Sequence, residues 1–252
     1  MRRLKDITHN RKGQEMKNTL LILLLLCAAM PTPAQTIVQQ FATISSGAGT
    51  VSDMDLNEPT GDNRVLIAMP LLLSPDVTVQ SVTDNAPAGG NTYKRVPDAS
   101  SSCSKKAVEI WYCEKCNPGV TELKFHLSGH VRASINGFLE VSGLDLASVL
   151  DGKGVHVNDG KTTSTGMQVG PSMTTTANDF VIARYFADPP LPTGVTPAPW
   201  KFTTSYVYAS DTRPGTYQPT LTGGKAASEF CMSMAAFKIA AAGNAPAPAA
   251  QK

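Results

Sequence analysis

Apolar alternation at a period of two is the feature that most limits what this chain can become. Over 121–127, Leu123, Phe125 and Leu127 alternate with Glu122, Lys124 and His126, the pattern of a strand with one buried and one wet face. Over 107–113, Val108, Ile110 and Tyr112 read as inward, and Glu109 and Trp111 as outward. That makes it the expected partner of 121–127. Cys116-Asn117-Pro118-Gly119 supplies the turn between them, because Pro presets φ and Gly accepts positive φ.

Further strands are expected over 37–43, 51–56, 64–73, 77–83, 92–96, 131–141, 180–186, 202–209, 217–221 and 230–239. The last is apolar on both faces and predicts a central strand. The run 64–73 is equally apolar, but Pro70 predicts a bulge or an edge near its end. Only 144–150 carries a short helical signal. So many strands between turn residues predict an all-β, single-domain fold: an antiparallel two-sheet β-sandwich of jelly-roll type.

The leader sets the compartment. Lys17 precedes the Leu/Ile run 20–26, and Thr32-Pro33-Ala34 offers a small-residue exit, so 1–34 reads as a secretory signal peptide. Met16 is the more ordinary start, and 1–15 reads as a mis-assigned one. A lipoprotein cut before Cys27 would want a small residue where Leu26 stands. The whole chain carries 22 Lys+Arg against 20 Asp+Glu. Taking away Arg2, Arg3, Lys5, Arg11, Lys12 and Lys17 with Asp6 and Glu15 leaves 16 against 18. A near-neutral mature chain without a basic stripe argues against nucleic acid as a partner. The mature chain also lacks a membrane span. The sandwich is expected over 35–240, with the Pro-rich 187–199 as a surface loop and 241–252 as a disordered Ala/Pro tail.

Export leaves Cys103, Cys113, Cys116 and Cys231, which predict two disulfides. Of the three pairings, Cys113–Cys116 with Cys103–Cys231 is preferred, and Cys113–Cys231 stays open. A zinc site built from Cys113, Cys116, His126 and His130 is disfavoured, since the spacing is short and a finger needs a helix there. Glu109, Glu122 and Glu140 are the carboxylates a glycosidase could use, but they read as surface charges. Ser102-Cys103-Ser104-Lys105 matches Ser-x-x-Lys without its companion motifs. No catalytic residue, metal or cofactor is expected.

Asp84 with Gly90-Asn91-Thr92-Tyr93 resembles the "D…GN.Y" hairpin of uncharacterised extracellular bacterial β-sandwich modules. The order of the later strands, from 108–112 through 139–143 to Ala236-Phe237-Lys238, follows the same family. The resemblance implies a jelly-roll-like sandwich and no chemistry, and the Cys113-Glu114-Lys115-Cys116 insertion lies outside its pattern.

The aromatic residues carry the functional expectation. Trp111, Trp200, Tyr206 and Tyr208 could present rings to sugar faces, against the alternative that they fill the core. The expected function is a secreted, non-catalytic binding module for a polysaccharide or surface glycan. The alternative is a structural or adhesive component of a cell-surface assembly acting through protein contacts, and a hydrolase ranks third. A strip of exposed aromatic rings would favour glycan; an unpaired edge strand or apolar patch would favour protein.

Overall fold

The computed structural model describes residues 35–241 except 75, 104–105, 159–165, 188, 190 and 224–228. The expected leader and almost all of the Ala/Pro tail lie outside the described residues. In chain order the strands begin with β1 (Thr36–Asp55), β2 (Val65–Leu72), β3 (Val79–Asp84), β4 (Lys94–Cys103), β5 (Lys106–Cys113) and β6 (Glu122–Ser142). Next come β7 (Val155–Val157), β8 (Gln168–Val169), β9 (Met173–Thr175), β10 (Asp179–Ala187) and β11 (Gly194–Thr196). The last are β12 (Lys201–Phe202), β13 (Tyr206–Thr212), β14 (Gly215–Tyr217), β15 (Thr220–Thr222) and β16 (Phe230–Lys238).

The fold is an all-β antiparallel sandwich. The main sheet runs β1-β6-β2-β5-β4, and β3 also pairs with β6. The second sheet runs β12-β13-β10-β16-β7. Between them lies a core that includes Val65, Ile67, Ile110, Leu139, Phe180, Ile182 and Phe237. Tyr112 meets Phe237 edge-on with ring centres 5.8 Å apart.

Both sheets are also covered on their outer faces. β1 and β6 shift register together near Gly49 and Val131. Beyond that crease, Glu122–Leu127 of β6 pairs with the second half of β1 and with β3 as a flap. Leu123, Phe125, Val79, Val82 and Met54 of the flap share a core with Leu66, Ala68, Trp111 and Phe138 of the main sheet. Ser52, Ser134 and Asn136 hydrogen-bond one another inside the crease. On the far side, residues from the short strands, including Met173 and Leu221, pack with Trp200 against β10, β13 and β16. Double coverage explains why β2, β5, β10 and β16 read as almost unbroken apolar runs,.

Four expectations need correction. β5 pairs with β2 and β4, not with β6; residues 114–121 instead cross to the 56–60 segment, where the Gly119 amide donates to the Thr60 carbonyl at 2.7 Å. Glu109 and Trp111 do not face solvent, because the flap covers that side, and they are 1% and 6% exposed. Pro70 sits inside a central strand opposite Asn136. The β2–β5 ladder has no pairs between Ala68 and Leu71, so the missing N–H falls in a gap in that ladder. Residues 144–150 form turns and isolated bridges to β16 instead of a helix.

The familiar hairpin owes its form to one carboxylate. Asp84 Oδ1 accepts the Ala86 and Asn91 amides, and Oδ2 accepts Asn91 Nδ2 and the Tyr93 hydroxyl. Asn91 Oδ1 in turn accepts the Asn117 amide. The motif is a structural knot that fixes the 85–93 connection to the 117 turn.

The cysteines pair as preferred. Cys103–Cys231 ties β4 to β16, and so one sheet to the other, with Cα atoms 5.7 Å apart at a sequence separation of 128. Cys113–Cys116 closes a ring of sequence separation 3. Closing the long loop removes far more unfolded-state freedom, about 5 kcal/mol against about 2 kcal/mol on chain-entropy grounds. Changing Cys103 and Cys231 together to Ala is therefore expected to lower the urea midpoint more than changing Cys113 and Cys116 together. Equal losses in the two double variants would contradict this ranking.

Candidate functional site

The longest strand edge in the described structure belongs to β1, and its composition sets it apart. From Thr36 to Ser52 the sequence holds no charged residue and no Pro. β1 pairs with β6 on one side, and no strand pairs with its other side among the described residues. Val38, Gln40, Ala42 and Ile44 are exposed, while Ile37, Gln39, Phe41 and Thr43 are half-buried against the sheet. Val38 is 47% exposed, Ile44 73% and Val51 45%, and only Met167 and Leu191 join them as large exposed apolar side chains among the described residues.

Natural sheets blunt their edges with charges, Pro, bulges or shortness. The opposite edge of the main sheet does so. β4 carries Lys94, Arg95, Pro97 and Asp98, with Asp98 at φ 58° and a register shift between Arg95 and Ser100. The edges of the second sheet are β12 and β7, of two and three residues. β1 has a shift beside Val38 but runs in regular register from Gln39 to Ser46 without a guarding residue. β3 leaves a further edge of the main sheet, of only six residues, so β1 is the long edge without such guards.

Two grooves flank it on the side of the second sheet. One of about 190 Å³ is lined by Gln40, Phe41 and Ala42 with Thr203–Tyr206. The other, of about 230 Å³, lies between Gln35–Ile37 and Lys201, Tyr208 and Ser210. The Tyr206 hydroxyl donates to Gln40 Oε1 between them. Behind this seam Arg184, fully buried, donates to the carbonyls of Ser205 and Ile135 and so ties the two sheets together. Burial lowers its pKa to about 10.

The four aromatic residues singled out from the sequence separate into two kinds. Trp111 is buried under the flap, its indole N–H donating to Glu109 Oε2 at 2.8 Å. Trp200 is 7% exposed in the core outside the second sheet. Tyr206 and Tyr208 meet at the seam with ring centres 6.2 Å apart. Tyr206 is 3% exposed. Tyr208 alone keeps a partly open ring, with Lys201 Nζ 5.5 Å from its centre. Val38, Gln40, Ile44 and Lys201 were not singled out from sequence, although the uncharged run 36–52 was there to be read.

The carboxylates are mostly occupied. Glu109 accepts the Val79 amide and the Trp111 indole, pinning the flap to the main sheet, and burial raises its pKa. Glu140, expected as a surface charge, is instead 1% exposed and accepts Gln39 Nε2 and the Gly61 amide beside Arg64. Glu122 pairs with Lys124. Cys113 and Cys116 are bonded to each other, and His126 hydrogen-bonds Thr83.

Asp179 is the exception. It is 0% exposed, and neither carboxyl oxygen meets an N–H or O–H donor in hydrogen-bonding geometry. Burial raises its pKa to about 7, helped by the hydrogen bond and charge of Asp151. The charge of Lys238 acts the other way. Burial opposes the charge on Asp151 too, but the Thr176 amide and hydroxyl, at 2.7 Å each, hold that carboxyl low. The two shifts run in opposite directions, so Asp179 is the carboxyl of the pair that keeps its proton to higher pH.

In the unfolded chain Asp179 would titrate near its ordinary value of 3.8. Between that value and about 7 the native state holds a proton that the unfolded state has lost, so stability falls as pH rises through this window,. The slope is about 1.4 kcal/mol per pH unit. Urea midpoints from pH 5 to pH 8 are expected to decline in the wild type, and less steeply in Asp179→Asn. Parallel curves for the two proteins would refute the raised titration of Asp179.

No family model matches the chain, and no curated protein matches it in sequence. A chain from the atomic structure of Sulfolobus turreted icosahedral virus aligns at 9% identity, over 81% of this chain and 90% of that one, with a TM-score of 0.23. A likeness this loose carries no argument about fold or function.

Proposed function

We infer that this protein is a structural or adhesive component of a cell-surface assembly, working through protein contacts made by strand addition at the β1 edge. The observation that carries the reading is the open, uncharged, partly apolar run Thr36–Ser52 of β1, in contrast to the well-guarded β4 at the opposite edge. An unpaired edge offers a row of backbone donors and acceptors to an incoming strand, and exposed side chains at every second position supply the specificity. The leader-like 17–34 segment and the Cys103–Cys231 bond support placement in an oxidising compartment outside the cytoplasm. The family resemblance, which implies no chemistry, is consistent with a non-catalytic role.

The carbohydrate reading keeps one specific support. Tyr208, with Lys201 beside it, borders a groove also lined by polar Gln35 and Ser210. The other three rings are buried and would need to move before they could pack on a sugar.

The test compares wild type with Ile44→Lys, an exposed change that leaves the fold intact, in the cells that make the protein. Chemical cross-linking of the envelope fraction is expected to trap wild type in species larger than one chain. The variant is expected to lose most of them. Wild type trapped only as single chains would overturn the assembly reading. Saturable binding to a polysaccharide panel that Tyr208→Ala abolishes would install the carbohydrate reading in its place.

A further inference from the structure

We propose that the β1 edge receives the β1 edge of a second copy of this chain, antiparallel about a two-fold axis at Phe41. This rests on the reading of β1 as an assembly edge and adds the identity of the partner. A two-fold interface uses the same patch on both sides, so each contact is made twice and the patch must complement itself. In the 36–46 half of β1 the two large exposed apolar side chains are Val38 and Ile44. They stand three residues to either side of Phe41. An axis at Phe41 therefore sets Val38 of one copy across from Ile44 of the other, at both ends of the new ladder. Gln40 falls opposite Ala42 between them.

Charge does not oppose this register. The run from Thr36 to Ser52 has no charged side chain, so two antiparallel copies bring no like charges together,. Local geometry favours it as well. β1 is in regular register from Gln39 to Ser46, and Val38 lies just before that straight part, in the shift between Ile37 and Gln39. The paired edges would join two six-stranded main sheets into one continuous sheet and satisfy backbone groups that each edge otherwise offers to water. The turn 203–206, which lines the groove beside Gln40 and Ala42, stands where it would flank the incoming strand. An unrelated partner strand would not need a patch that complements itself.

Sedimentation equilibrium of the oxidised protein tests the proposal, with Val38→Lys and Ile44→Glu as variants at exposed positions and circular dichroism to check their fold. Wild type is expected to dimerise, and each variant alone to dimerise at least about tenfold more weakly. An equimolar mixture of the two variants is expected to form a heterodimer tighter than either homodimer. The mixture sets the introduced lysine against the introduced glutamate at one end and keeps Ile44 on Val38 at the other. A dimer indifferent to both changes, or a mixture no tighter than its components, overturns the register and the proposal. Wild type that stays monomeric at its highest soluble concentration overturns it too. If such a monomer is still cross-linked in the envelope in an Ile44-dependent way, only the second copy fails and the assembly reading stands. Loss of both signals removes both.

Discussion

Much of the architecture depends on the length of β6. Its 21 residues would reach about 70 Å if fully extended, well beyond the size of a compact domain of this length. The strand has to turn over, and β1, paired to it for almost its whole course, turns with it. Shifts in register near Gly49 and Val131 take up the bend, and the part beyond folds back as the flap. A sandwich of two sheets thereby acquires a third layer, and β2 and β5 lose any solvent face. Glu109 and the Ser52–Ser134–Asn136 cluster are the polar cost of that layering, and hydrogen bonds meet much of it.

The layering also explains which parts of the fold were legible in the sequence. The 121–127 alternation was read correctly because the flap has one wet face. The 230–239 run was read as central because β16 is covered on both sides. The same logic misled at 107–113, where Glu109 and Trp111 look like an exposed face but form a hydrogen-bonded pair under the flap. Nothing local distinguishes a surface Glu-x-Trp from a buried one whose lid lies at 79–82 and 123–127. Pairing was equally illegible. β5 and β6 are neighbours in sequence and look like a hairpin, yet β5 sits between β2 and β4. Residues 144–150 have helix-like apolar spacing, but their backbone docks on β16, with Lys238 donating to the Val149 carbonyl.

The candidate site shows a related limit. Aromatic residues draw attention in a sequence because they can bind, and three of the four singled out serve the core. The open edge of β1 is written in the composition of 36–52 as an absence of charge and Pro. That absence became informative only once the topology placed the strand at the margin of a sheet. In the interior the same residues would be ordinary. The familiar hairpin around Asp84 is a third case: Asp84 binds Asn91 and Tyr93 of the motif and the Ala86 amide, a role that concerns folding and not recognition.

The Cys103–Cys231 bond also has a mechanical side. It encloses a stretch of chain with a sequence separation of 128, about 450 Å of contour at full extension. A pull between the two ends of the domain would travel through the bond and bypass that stretch, including β5, β6, β10 and β13. Only the segments before Cys103 and after Cys231 could pay out. β1 and β2 lie in the first of these, so the strand that bears the open edge is among the few the bond leaves exposed to load.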